Sequence, residues 1–102
     1  TGTDDEIAMP NSFALRGNYP NPFNPSTKIA YSIDINSKVN VKIYSLLGEE
    51  ITSLFSGDVN PGTHEVQWNG TDNAGVAVAS GVYIYRVEAN NQALTSKMML
   101  LK

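Results

Sequence analysis

Lys28-Ile29-Ala30-Tyr31-Ser32-Ile33-Asp34-Ile35 decides the fold. Ile29, Tyr31, Ile33 and Ile35 fall on one face of an extended chain, and Lys28, Ala30, Ser32 and Asp34 on the other. That period of two belongs to a strand with one face buried, because successive side chains point to opposite sides. The pattern returns a few residues later: Val39, Val41 and Ile43 oppose Lys38, Asn40, Lys42 and Tyr44. Both segments read as half-buried antiparallel strands. Leu46-Leu47-Gly48 breaks the alternation, and Gly48 suits a positive-φ turn. A shorter, less regular strand is expected around Glu50 to Phe55. Asn60-Pro61-Gly62 signals a turn, after which His64, Val66 and Trp68 alternate with Thr63, Glu65 and Gln67.

Further on, Asn69 to Gly75 reads as a polar loop and Val76 to Ala79 as a short edge strand. Gly81 to Ala89 carries Tyr83, Tyr85 and Val87 on one face and Val82 and Ile84 on the other. Apolar residues on both faces suit the centre of a sheet. Asn90-Asn91 fits a two-residue hairpin with positive φ at both positions, so Gln92 to Leu101 pairs back as the last strand. No segment keeps a 3.6-residue apolar period for three turns, and no helix is expected. The fold class is therefore all-β: an immunoglobulin-like antiparallel β-sandwich of about seven short strands.

Working upstream, Asn18-Tyr19-Pro20-Asn21-Pro22-Phe23-Asn24-Pro25 is rich in proline, which removes backbone donors and holds the preceding residues out of the helical region. Tyr19, Pro20, Pro22, Phe23 and Pro25 are expected to form a structural cap, with Phe23 plugging one end of the sandwich. Burying that ring stabilises by about 1.5–3 kcal/mol. Before the cap, Asp4, Asp5 and Glu6 stand among few large apolar residues. Residues 1–14 read as a linker from an upstream passenger domain and 15–102 as the sandwich.

The chain has 102 residues, enough for one small domain. A net charge of −3 with no basic stripe argues against a nucleic-acid partner. No apolar run approaches the ~20 residues of a membrane-spanning helix, so no membrane insertion is expected. The absence of cysteine excludes disulfides and thiolate chemistry, leaving packing to hold the core. His64 is the one histidine, and no nucleophile elbow accompanies it. Glu49 and Glu50 point to opposite faces. The loop from Asn69 to Gly75 offers one carboxylate, Asp72, too few for calcium. Catalytic residues, cofactors and metals are accordingly not expected, and the domain reads as a non-enzyme. Trp68, in phase with Val66, reads as core; the alternative is sugar stacking with Tyr19 or Tyr44.

Four stretches resemble the type A C-terminal sorting domain family of type IX secretion. They are the segment Asn18 to Thr27, Val41 to Ile51, Pro61 to Gly70, and Ser80 to Arg86 taken with the end, Lys97-Met98-Met99-Leu100-Leu101-Lys102. Ser45 departs from the family, which often has an acidic residue there. The same pattern is similar to the Ig-like domain of flagellar hook-capping proteins. The sorting-domain resemblance implies a C-terminal signal that directs a covalently linked passenger across the outer membrane. Its implied partners are the type IX outer-membrane translocon and a sortase-like peptidase. The implied destination is the medium or cell surface of a Gram-negative bacterium, by way of the periplasm. Translocon recognition is then expected at Gly81, Tyr83, Lys97, Met98, Leu100 and Lys102, with strand addition to an accessible last strand as one route. The residues alone describe a core strand with two solvated lysines. The competing function is a carbohydrate-binding or structural accessory module of a secreted hydrolase.

Overall fold

The alternating stretches become strands. The computed structural model describes residues 13–22 and 26–101, and within them seven strands. These are β1 (Ala14–Tyr19), β2 (Thr27–Ile33), β3 (Ser37–Ser45), β4 (Glu50–Val59), β5 (Gly62–Trp68), β6 (Gly81–Ala89) and β7 (Gln92–Leu100). One sheet has the order β1-β2-β5 and the other β4-β3-β6-β7, with every neighbouring pair antiparallel. The inward faces of the two sheets meet in two layers. Ile29 and Trp68 of the first sheet pack on Ile43, Tyr83, Tyr85, Met98 and Leu100 of the second. Tyr31 and Ile33 pack on Val39, Val41, Val59, Val87 and Ala89. Each fully buried aliphatic of this kind is worth about 1.5–3 kcal/mol, which is how the fold manages without cross-links.

Strand pairing also fixes the poles. Tyr19 pairs with Lys28, Thr27 with Trp68, Tyr44 with Glu50, Ser45 with Tyr83 and Gly81 with Leu100. The last residues of β1, β3, β5 and β7 therefore gather at one pole, called here the carboxyl pole. β1 and β7 are adjacent edge strands of opposite sheets and run in the same direction. The chain enters β1 at the far pole and leaves β7 at the carboxyl pole.

Several expectations match in detail. β6 lies between β3 and β7, as its two apolar faces require. Asn90 and Asn91 take φ of 49° and 67°, and Gly48 takes 89°. Trp68 is buried.

Others need correction. β4 is not a short strand ending at Phe55; it runs ten residues to Val59. Its pairing with β3 skips Leu54 and Ile51, so two bulges interrupt the period of two. Both skipped side chains lean on the core, a gain that alternation does not register. Val76 to Ala79 is not a strand, since the segment contributes a single bridge between Thr71 and Ala77. Its place in the count of seven is taken by β1, which the sequence reading leaves without a strand. There the ladder shifts between Leu15 and Gly17, and Gly17 takes φ of 99°, where a β-carbon would be strained. Ile35 is not on the buried face: β2 ends at Ile33, and Ile35 is exposed. Phe13 packs on the core just ahead of β1. Of the linker expected over residues 1–14, residues 1–12 lie outside the described residues, as do the sites at Phe23, Pro25 and Lys102.

Candidate functional site

The carboxyl pole collects most of the residues that sequence reasoning selects for recognition, but not in the roles it gives them. Tyr83, Met98 and Leu100 are core residues, so a partner of the folded domain does not touch their side chains. The strand period explains the correction, because these three share the inward face with Tyr85 and Val87. The Tyr83 hydroxyl donates to the Ala79 carbonyl at 2.6 Å. Its ring stands edge-on to Trp68, with centroids 5.2 Å apart, and the Trp68 Nε1–H donates to the Thr71 carbonyl at 2.9 Å. Burial pushes the Tyr83 phenol above its ordinary pKa, and does the same to Tyr31. Gly81 opens β6 at φ of 152° with open space where a β-carbon would stand, so a backbone conformation, not a close approach, requires glycine there. Lys97 is exposed and shares the outward face of β7 with Met99; Leu101, just past the strand, is exposed as well.

The proline segment is a cap of a different kind from the one expected. Tyr19 is 82% exposed, and Pro20 and Pro22 are exposed too, so none of them plugs the sandwich. The Tyr19–Pro20 and Asn21–Pro22 peptide bonds are cis. The segment is tied down by polar groups. Thr27 Oγ1 donates to the Pro20 carbonyl at 2.9 Å, and Asn18 Nδ2 donates to Thr27 Oγ1 at 3.2 Å. Asn21 Oδ1 accepts the backbone N–H of Met99 at 3.1 Å, linking this segment to the edge of β7.

Apolar side chains are exposed around this pole. Among the described residues Tyr19, Leu46, Leu47, Val76, Met99 and Leu101 lie at or beside it, whereas Ile35 lies at the far one. All but one of these large exposed apolar side chains thus lie toward the same end of the sandwich. Leu46 and Leu47 are held out by the β3–β4 turn. There Ser45 Oγ accepts the N–H of Leu47 at 3.2 Å and of Glu49 at 3.3 Å. The serine oxygen thus supplies the acceptor that an acidic side chain would supply at this position.

The loop from Asn69 to Gly75 is a constructed turn. Asp72 Oδ1 accepts from the N–H groups of Ala74 and Val76 at 2.9 and 3.0 Å. Asn73 Oδ1 accepts from Thr52 Oγ1 and Ser53 N, docking the loop on β4. No group of three His, Cys, Asp or Glu side chains that could hold a metal occurs among the described residues. His64 Nε2 lies 2.7 Å from the Asn60 carbonyl, with its ring beside Tyr31. Because Trp68 is buried, the sugar-stacking reading loses its central ring. No sequence pattern points to the bonds of Asn21, Ser45 and Asn73, or to that of Asn90 Nδ2 to Ser37 Oγ at 2.7 Å.

Two facing antiparallel sheets of three and four strands define an immunoglobulin-like β-sandwich. The chain belongs to the FlgD Ig-like domain family, whose model matches residues 24–93. Among solved structures, dimeric latent PorU from Porphyromonas gingivalis is similar in fold over 87% of this chain, at 24% identity and a TM-score of 0.69. PorZ, described as an essential surface component of the type IX secretion system of the same organism, is similar over 100% of this chain, at 25% identity and a TM-score of 0.61. This chain spans 9% and 13% of those two longer chains. No curated protein matches it.

Proposed function

We propose that this domain is a sorting module of type IX secretion that acts by being recognised and catalyses nothing itself. The observation that carries the reading is the likeness to PorZ along the whole chain. The exposed apolar side chains around the carboxyl pole support it, because a domain that is read by machinery needs a surface to be read. In this reading the type IX translocon engages the folded sandwich at that pole. A sortase-like peptidase cuts upstream of Leu15, and a linked passenger reaches the cell surface or the medium through the periplasm.

The test is a fusion. A fluorescent protein carrying residues 15–102 and an inner-membrane export signal is expressed in a bacterium that has the type IX apparatus. Fluorescence at the surface or in the medium is expected, and removal of residues 97–102 abolishes it. Retention of the intact fusion in the periplasm refutes the proposal. The family match favours a second reading, a structural Ig-like module. That reading predicts a fusion that folds and stays in the periplasm.

A further inference from the structure

β7 is an edge strand whose one sheet neighbour is β6. The N–H of Met99 points away from β6, since it donates to Asn21 Oδ1. Val82 and Met99 are therefore a pair that exchanges no ladder bonds. By the alternation of antiparallel ladders, Ile84–Lys97 and Arg86–Thr95 are too. The N–H and C=O groups of Thr95 and Lys97 then face the same open edge as those of Met99. Among the described residues nothing meets the N–H of Thr95 or Lys97. The Asn21 side-chain Oδ1 stands where the backbone carbonyl of a neighbouring strand would stand. It occupies one position of a row made for several.

What lies beside the row narrows the occupant. Pro22, Val82 and Met99 line an apolar concavity with Lys97 at its margin. Lys97 makes no ion pair among the described residues. A lysine on an open edge disfavours pairing with a second identical edge, since it brings cation toward cation, and favours a strand that carries a carboxylate. A row of backbone donors and acceptors at strand spacing is matched by another extended chain, not by a helix, whose backbone bonds are spent internally.

We propose that the free edge of β7 from Thr95 to Met99 is a strand-docking site whose Met99 position is held by the Asn21 side chain until a partner arrives. The occupant is an extended segment of a partner protein, with a carboxylate beside Lys97 and an apolar side chain over Val82 and Met99. The inference deepens the sorting function above and rests on it for the partner's origin: the segment belongs to the export machinery.

The test uses the full chain, isotope-labelled. The probe is a synthetic ten-residue peptide alternating valine with threonine and carrying one central glutamate; its N-methylated form lacks the backbone donors. Amide shifts and slowed exchange are expected at Thr95, Lys97 and Met99, with no binding of the N-methylated form. Asn21→Ala removes the competing acceptor and tightens binding about two- to tenfold, the worth of one hydrogen bond. Asn21→Asp keeps an acceptor oxygen and stays near the parent. Lys97→Gln weakens binding roughly two- to fivefold. Absence of saturable binding up to millimolar peptide, shifts confined to β4, β1 or β5, or equal affinity of Asn21→Ala and the parent each overturns the proposal. Docking of the peptide with retention of the fusion described above refutes the sorting function and leaves the docking site standing. Export of the fusion without peptide docking does the reverse.

Discussion

Tyr83→Phe separates a structural role for this side chain from a recognition role. The substitution keeps the ring and its edge-on contact with Trp68 and removes the hydroxyl that donates to Ala79. One hydrogen bond of this kind contributes about 0.5–1.5 kcal/mol net. For a domain near 100 residues, 1 kcal/mol moves the midpoint of thermal unfolding by roughly 4–8 °C. Urea unfolding followed by fluorescence reads the change directly, because Trp68 is the sole tryptophan and leaves a buried site when the chain unfolds. The matched control is Ile43→Val, a fully buried truncation that costs about 0.5–1.5 kcal/mol and changes no surface. If Tyr83 acts through the fold, the two variants lose export of the fluorescent fusion to the same small degree. If Tyr83→Phe loses export while its unfolding curve overlays that of Ile43→Val, the translocon touches the hydroxyl, and the burial argument is wrong.

Four further outcomes follow from the hydrogen bonds, the hairpin turn and the buried phenols. Ser45→Ala leaves the N–H groups of Leu47 and Glu49 without their acceptor and costs about 0.5–1.5 kcal/mol in denaturant unfolding, whereas Ser45→Asp restores the parent value. Asn90→Ala loses the bond to Ser37 and places at φ of 49° a residue without the short polar side chain that lets asparagine adopt the left-handed region, and it lowers stability by about 1–2 kcal/mol. Asn91→Gly, at φ of 67° in the same turn, does not destabilise in the same measurement. Stability also falls at alkaline pH. The folded state holds the Tyr31 and Tyr83 protons above the ordinary value of 10.0, so it binds more protons than the unfolded chain beyond that pH. The stabilisation is complete below about pH 10 and is lost as pH rises through the folded values. Tyr31→Phe should flatten that decline in a melting series.

The strands legible in the sequence are those whose alternation is unbroken. β2, β3, β5 and β6 each place one clean apolar face on the core, and period two finds them. β4 outruns its alternation because the bulges at Leu54 and Ile51 shift the inward phase twice within ten residues. β1 leaves no such signal because it holds one large inward aliphatic, Leu15, and owes its place to pairing with β2. The candidate site was legible as a location and not as a mechanism. The last strand drew notice for its lysines and apolar residues, but alternation alone says which residues share a face, not which of two faces is covered. The ties made by Asn21, Ser45, Asn73 and Asn90 depend on backbone groups brought close by the fold, and no local pattern encodes them.

The shared direction of β1 and β7 has a mechanical consequence. A tension applied between the two ends of the sandwich pulls along the strand axes. The β1–β2 and β6–β7 ladders are then loaded in shear, and their bonds must yield together instead of unzipping one after another. The β7 ladder spreads such a load over nine residues, or about 30 Å. A domain threaded this way transmits traction along its length, from the start of β1 at one end to the close of β7 at the other.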